Sequence, residues 1–346
     1  MMDDDFWLTL ANGPEDTGTA IAVQHEAQQG ITPLDRQFGH HPRRIVPEGL
    51  EMQFDPVTDQ DQLFAILDGA KIPDLPELLE ASGLNHLCLF KGDALEDYGA
   101  IAPWVVKMDH DSDLLRHLFT KDQGPHHLWD HEAAIYLRAP CNLDALQRHF
   151  RRLVKLRRED QSWTFFRFWE PKILRRFLLL ADSGSPLLRT LLYLTDDQGL
   201  REVITVLKTG DLDRFAFTLP ALEARPPVPR LEGQDFAILT QAVSLERLDE
   251  MVRALQGDFP DELQGQDYPT LHRKVSEALI RMQSYGFRSG PLLYTLTAWE
   301  LIYGAGFEHR DPTGRLLQTF RSHLSEQRKF RRIEQRLTSL FKEGVL

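Results

Sequence analysis

The sequence has few cysteines, no excess of basic residues and no long apolar run, and each absence excludes a class of protein. Two cysteines, Cys88 and Cys141, stand in apolar segments among 346 residues, which favours reduced, buried thiols over a disulfide framework. The net charge of −12 argues against binding of nucleic acid by the whole chain. There is no run of about 18 apolar residues, and residues 1–5 are acidic, unlike a signal peptide. We therefore expect a soluble cytoplasmic protein without membrane insertion.

Short catalytic signatures are also missing. The sequence contains no glycine-rich phosphate loop, no Gly-x-Ser-x-Gly elbow and no Cys-x-x-Cys pair. It also shows no acid and base at a spacing typical of a catalytic pair. Together these absences argue against an enzyme.

The length and the hydrophobic content of 42% predict two domains, each with its own core. Strand and helix signals alternate over residues 61–224, which predicts an α/β lobe with a mixed sheet and flanking helices. We predict that residues 1–60 form a loop-rich arm. Three prolines within residues 225–230 predict a linker, because proline cannot continue a helix or a central strand. Residues 231–346 predict an all-helical lobe.

Individual elements follow from the apolar pattern. Strands are predicted at 63–67, 87–90, 103–108 and 134–137, with a hairpin at 202–207 and 215–217. Helices are predicted at 76–81, 114–119 and 143–157, the last from the helical spacing of Leu146, Phe150, Leu153 and Val154. Whether the last helix continues through Ser325 stays open.

An arginine among aromatic residues, in the run Phe165-Phe166-Arg167-Phe168-Trp169-Glu170-Pro171, is the most informative feature. An arginine there must find a carboxylate or reach solvent, because an unpaired buried charge is costly. Asp68, which ends an apolar strand before Gly69, is the candidate partner, and Glu170 is another. For the aromatic residues from Trp163 to Trp169, core packing is favoured over stacking on bases or sugars.

Two interpretations compete for Asp68 and the histidines within residues 126–131. Asp68 with His126, His127 and His131 could form a metal-assisted hydrolase site, since His127 and His131 would share one face of a helix. A structural turn at Asp68 and exposed loop histidines are the favoured alternatives.

A basic patch is the remaining candidate. It contains Arg148, Arg151, Arg152, Lys155, Arg157, Arg158, Lys172, Arg175 and Arg176. This patch could dock an acidic protein or bind nucleic acid, but a solvated helix face is the favoured interpretation.

Four motifs in a fixed order resemble a known family. They are Leu67-Asp68-Gly69-Ala70, then Ala102-Pro103-Trp104-Val105-Val106, then His149-Phe150-Arg151-Arg152-Leu153, and finally Phe166-Arg167-Phe168-Trp169-Glu170-Pro171. This order resembles the domain of unknown function 4123, found in adaptor chaperones of the bacterial type VI secretion system. Trp169 and Glu170 stand where that family usually has Tyr and Asp, and a later Phe-Gly-Pro signal is not evident.

The resemblance implies a role. Such adaptors bind one toxic effector in the cytoplasm and load it onto the VgrG spike, without catalysis or a cofactor. The expected partners are thus a cognate effector and VgrG, with no nucleic acid. The four motifs and the basic patch together make these residues the candidates for structural or partner-binding roles: Asp68, Trp104, Arg151, Arg152, Arg167, Phe168, Trp169, Glu170 and Arg175.

Overall fold

The computed structural model describes residues 21–55, 61–124, 127–231 and 233–344. The strands are β1 (Ala22–Gln28), β2 (Gln62–Asp68), β3 (His86–Cys88), β4 (Pro103–Lys107), β5 (Ala134–Ala139), β6 (Lys155–Arg157), β7 (Trp163–Phe165), β8 (Glu202–Val206) and β9 (Leu212–Thr218). The first helices are α1 (Glu51–Phe54), α2 (Leu75–Ser82), α3 (Asp93–Tyr98), α4 (Asp113–Phe119), α5 (Leu143–Arg151), α6 (Pro171–Leu180) and α7 (Pro186–Leu192). They are followed by α8 (Gly233–Asp258), α9 (Tyr268–Ser284), α10 (Gly290–Tyr303), α11 (Arg315–Arg321) and α12 (Glu326–Lys342).

Seven of the strands form one sheet in the order β1-β9-β8-β5-β2-β4-β3, and β6 pairs with β7 in a separate hairpin. Each neighbouring pair in the large sheet is antiparallel. With the all-helical region α8–α12 that follows, the predicted fold class is confirmed. Within the described residues, no helix is both long enough and apolar enough to cross a membrane.

Helices cover both faces of the sheet. Phe64 and Ile66 of β2 pack with α5, α6 and α7 on one face, whereas Leu63, Ala65 and Leu67 pack with α1, α2 and α4 on the other. Because β2 is buried on both sides, its sequence is a continuous apolar run instead of an alternating one. This explains why the strand was predictable.

Residues 21–55, within the predicted arm, include edge strand β1 and the short helix α1, whereas residues 1–20 lie outside the described part. The prediction of a helix through residue 157 is wrong beyond Arg151. The chain turns there, Leu153 and Val154 remain buried, and residues 155–157 form β6. The apolar spacing continued past the helix end because the turn packs into the same core.

Two compact units divide the chain after Ala242. The proline-rich segment 225–230 belongs to the first unit, where the Thr190 hydroxyl donates a hydrogen bond of 2.9 Å to the carbonyl of Pro227.

The second unit is helical and has two small apolar clusters. Helix α9 ends at Ser284, two residues before Gly286, whose φ of +87° favours glycine, and the following Phe287 is buried. Helix α11 begins at Arg315, and the Asp311 carboxylate accepts a hydrogen bond from the backbone N–H of Leu316 at 2.9 Å. The last helix is interrupted, since α11 ends at Arg321 and α12 begins at Glu326.

Candidate functional site

Asp68 closes the turn at the end of the central strand β2. Its carboxylate accepts hydrogen bonds from the backbone N–H of Ala70 at 3.1 Å and from Nη2 of Arg167 at 2.9 Å. Gly69 is required next, because a Cβ there would lie 2.6 Å from the carbonyl oxygen of Ala102. The side chain of Asp68 is only 2% exposed. Its carboxylate is therefore already engaged in holding the turn and Arg167.

The charges around Asp68 continue into a network. Glu170 lies 3.5 Å from Nη2 of Arg167 and also binds Nζ of Lys71. Lys71 donates to the carbonyl oxygen of Glu132 at 3.1 Å, and the buried carboxylate of Glu132 lies 3.2 Å from Nζ of Lys172. Opposite charges thus alternate from the end of β2 to the start of α6, which is how buried ionic groups are stabilised. The network ties together segments far apart in sequence.

The aromatic run divides into buried and exposed members. Phe166, Phe168 and Trp169 are buried, and the Phe168 ring lies 4.9 Å from that of Phe150. Core packing is therefore correct for these three. It is wrong for Trp163 and Phe165, which are 65% and 55% exposed on the β6–β7 hairpin.

The exposed face of this hairpin carries two pairs of a cation with an aromatic ring. Nζ of Lys155 lies 5.1 Å from the ring centroid of Phe165, and the guanidinium carbon of Arg157 lies 6.0 Å from that of Trp163. Each pair joins residues that are directly opposite in the antiparallel ladder. Such pairs hold the rings in place without burying them.

An open, apolar groove lies beside the hairpin, with a volume of about 440 Å³. It is lined by Leu89, Phe90, Lys91, Ala94, Tyr98, Ile101, Arg151, Val154, Lys155 and Phe165. Tyr98 and Ile101 are 53% and 57% exposed, an unusual state for large apolar side chains on neighbouring positions. We call this feature the apolar groove.

Trp104 positions one wall of the apolar groove. It lies on β4 opposite Cys88 of β3, and its indole N–H donates a hydrogen bond of 2.9 Å to the carbonyl of Gly99. Gly99 begins the 3-10 helix Gly99–Ile101, which carries Ile101. Trp104 is therefore half-buried support for the groove.

Comparison with known proteins agrees with the four motifs. Residues 63–183 match the family model described as Domain of unknown function (DUF4123). The chain contains a DUF4123 domain. No curated protein and no solved structure matches the chain. The match includes Asp68, Arg167 and all residues that line the apolar groove.

The predicted basic patch of the DUF4123 domain does not form one continuous surface. Lys172 faces Glu132, and Arg175 pairs with the buried carboxylate of Asp213. Arg152 is half-buried and donates a hydrogen bond of 3.4 Å to the carbonyl of Pro226. Arg151 instead lines the apolar groove, where its buried Nη1 has no acceptor among the described residues.

His149 is a buried neutral imidazole of the same helix, α5. Its pKa is lowered to about 3, chiefly by burial and in smaller part by the nearby Arg225 and Arg152, while the hydrogen bond with the carbonyl of Leu191 opposes this shift. Its Nδ1 accepts from Nη2 of Arg225 at 2.7 Å, so that Nε2 donates to the Leu191 carbonyl at 2.9 Å. This motif residue therefore joins α5 to α7.

Asp68, His127 and His131, the described residues of the hydrolase alternative, do not form a group of closely spaced metal ligands. His131 makes a contact of 2.5 Å from Nδ1 to the carbonyl oxygen of Lys71, and His126 lies outside the described residues. Over the described ranges, the group of three closely spaced potential metal ligands is Asp109, His110 and Asp111, all exposed. Asp68 does not belong to this group.

Sequence reasoning missed Lys71 and Glu132 in the charge network, Asp213 as the partner of Arg175, and Tyr98 and Ile101 in the apolar groove. No local pattern singles out these residues. Their roles depend on contacts between segments that are far apart in sequence, such as those of Lys71 with Glu170 and of Glu132 with Lys172.

Proposed function

We propose that this chain is an adaptor of a bacterial type VI secretion system. It would bind a cognate toxic effector in the cytoplasm of the producing cell and load it onto the VgrG spike. The DUF4123 match at residues 63–183 and the four ordered motifs support this proposal. The motif residues Asp68, Arg167 and Glu170 would then act as a scaffold.

One observation carries the proposal. The DUF4123 domain exposes a concave apolar surface, flanked by Tyr98, Ile101 and Phe165, which are each more than half exposed. Water-exposed apolar surface of this kind is typical of sites that bind another protein, because covering it removes the surface from water. Binding of a partner at such a surface needs no reacting groups.

The acidic residues support the same function. Asp68 is held by Arg167, Glu132 by Lys172 and Asp213 by Arg175. A catalytic carboxylate needs access to a substrate proton or a reacting atom, whereas the carboxylates of Asp68 and Asp213 are almost fully buried within ion pairs. Their geometry fits the support of a binding surface.

The test uses the genes that flank this one. The full chain, tagged and produced at its native level, should co-purify with a VgrG protein and with one toxin encoded nearby. Deletion of the gene should abolish delivery of that toxin to neighbouring cells but leave delivery of other effectors unchanged. The reason is that an adaptor serves one cargo, whereas the secretion machine serves all.

Two results would contradict the proposal. One is delivery of every effector at normal levels in the deletion strain. The other is stoichiometric metal in the purified protein together with a turnover that Asp68→Asn abolishes in a folded sample, which would favour the hydrolase.

A further inference from the structure

We propose that the apolar groove binds a segment of a partner protein in which apolar side chains are flanked by aspartate or glutamate. This inference rests on the proposed adaptor function, because it names the chemistry of the partner segment at that surface. The shape of the groove, its cations without a carboxylate partner among the described residues, and the charge of the whole chain support it.

The shape fits a few apolar side chains of a polypeptide. Leu89 and Val154 form a buried floor, and Ile101 and Phe165 form exposed walls. A volume of about 440 Å³ lies within the range of about 300–1,000 Å³ that is common for binding pockets. Anchoring of apolar or aromatic side chains in such a pocket usually dominates the affinity of a protein interface.

The charges at the groove specify what flanks these apolar side chains. Lys91, Arg151 and Lys155 line it, and none of them forms an ion pair with a carboxylate in the described part of the chain. The acidic residues of α3 do not line it. Three neighbouring cations without a carboxylate partner among the described residues stand out in a protein of net charge −12, and they complement a carboxylate-bearing partner.

Arg151 is the strongest of the three recognition elements. It ends α5 and is half-buried, so its orientation is restricted more than that of the exposed lysines. Its Nη1 is shielded from solvent and has no acceptor among the described residues. A carboxylate of the partner can accept a hydrogen bond from this guanidinium, with the planar geometry that arginine favours.

Nucleic acid is the competing ligand, since the exposed rings of Trp163 and Phe165 beside cations also suit stacked bases. The aliphatic floor formed by Leu89 and Val154 and the strongly acidic chain favour a polypeptide instead. The experiment below therefore includes an oligonucleotide.

Site-specific crosslinking identifies what occupies the groove. The full chain carries the photo-crosslinker p-benzoylphenylalanine in place of Phe165, inside the groove, or in place of Phe38, which is 93% exposed outside it. Both replace a phenylalanine, so they form a matched pair. After irradiation with the co-encoded effector and VgrG, we expect a crosslink from position 165 alone. The crosslinked peptide should contain apolar residues flanked by Asp or Glu.

Three crosslinking results would overturn the proposal. They are a crosslinked peptide without acidic residues, a crosslink to a second copy of the chain, and a crosslink to residues 1–20 that persists with the partner present. The crosslink to residues 1–20 is included because residues 3–8 of this chain, Asp-Asp-Asp-Phe-Trp-Leu, also combine apolar side chains with aspartate, as proposed for the partner segment. Saturable binding of a single-stranded oligonucleotide at 0.15 M salt that Phe165→Ala abolishes would overturn it as well.

Charge reversal tests the role of Arg151. Arg151→Glu should weaken binding of the purified partner at least about tenfold, which corresponds to about 1.4 kcal/mol. Arg148→Glu changes the same charge three residues earlier on α5, outside the groove lining, and should bind within about twofold of the unaltered protein. Arg151→Lys should recover part of the affinity, since a cation alone satisfies the charge but not the planar geometry.

The outcomes separate this inference from the adaptor function. If the effector or VgrG binds the unaltered chain and Arg151→Glu binds equally well, the groove proposal is wrong and the adaptor function stands. If neither partner binds the unaltered chain, the adaptor function itself fails. A circular dichroism spectrum unchanged by Arg151→Glu excludes misfolding, and Ile101→Asp, at an exposed wall position, provides a second variant that should also reduce binding.

Discussion

Asp68 and Arg167 should not be equivalent in their effect on stability, although they form one ion pair. Among the described residues, Arg167→Met leaves the Asp68 carboxylate, 2% exposed, with the N–H of Ala70 as its one donor. Loss of one partner of a buried pair typically costs about 3–5 kcal/mol. Asp68→Asn instead leaves Arg167, whose side chain is 51% exposed and which still reaches Glu170 and water. That change should cost only about 1 kcal/mol, the net value of one hydrogen bond.

The double variant tests whether the cost of Arg167→Met comes from the buried Asp68 charge. Arg167→Met made in the Asp68→Asn background should cost about 1 kcal/mol or less, because no buried charge is left behind. The assay is equilibrium unfolding in urea of the full chain. Tryptophan fluorescence reports mainly on the first unit, since five of the six tryptophans precede residue 243.

Thermal unfolding provides a second measure. For a unit of this size, about 1 kcal/mol corresponds to a change in Tm of about 2–4 °C, so the two single variants should differ by about 4–16 °C. The reasoning is refuted if Asp68→Asn is the more destabilising variant. It is also refuted if the two effects add within about 0.5 kcal/mol, which would mean that the residues do not interact.

Three further predictions concern the core and the helical unit. Phe168→Ala, at a fully buried ring, should lower the free energy of unfolding by about 3–5 kcal/mol. Phe165→Ala, at an exposed ring of the same aromatic run, should change it by less than about 1 kcal/mol. Urea titrations of the two variants measure both values. Burial raises the pKa of Glu300 from 4.5 to about 7. The folded protein therefore binds more protons between these values, and stability should fall by on the order of 2 kcal/mol as pH rises through 7. Glu300→Gln should remove this slope in unfolding titrations at pH 5 and 8, and the exposed Glu334→Gln should retain it. The hydrogen bonds from Arg336 hold the pKa of the buried Asp311 well below its usual range. Asp311→Asn should therefore lower the free energy of unfolding by about 2–4 kcal/mol at pH 7 and by less below pH 3. Thermal unfolding at both pH values measures the difference.

The central parts of the fold could be predicted from the sequence because burial on both faces leaves a strong signal. Strand β2 is apolar at consecutive positions since helices cover it on two sides. The pairing of Arg167 with Asp68 followed from the cost of an unpaired charge among aromatic residues, and it is present at 2.9 Å. Both predictions rest on large free-energy costs, that of exposing apolar side chains and that of burying an unpaired charge, which restrict the residues that can stand at these positions.

Strand β1 could not be predicted for the opposite reason. All seven of its residues are exposed, so no apolar alternation marks it. The apolar groove also has no local signature. Its lining comes from residues 89–101 and 151–165, and only the packing of these segments against the sheet brings Ile101 and Phe165 to one surface. Exposure of Trp163 and Phe165 was missed because an aromatic run usually indicates a core.

The polar edge strand β1 has a consequence for how the protein can be shortened. It covers one side of β9, where the ring of His25 stacks on Phe215 at 4.7 Å and Glu26 pairs with Arg214. A version of the chain that starts after Gln28 would leave β9 as a bare edge with apolar side chains and unsatisfied backbone groups. Such an edge pairs readily with other chains. We therefore expect the shortened protein to aggregate, even though it keeps nearly all of its core residues.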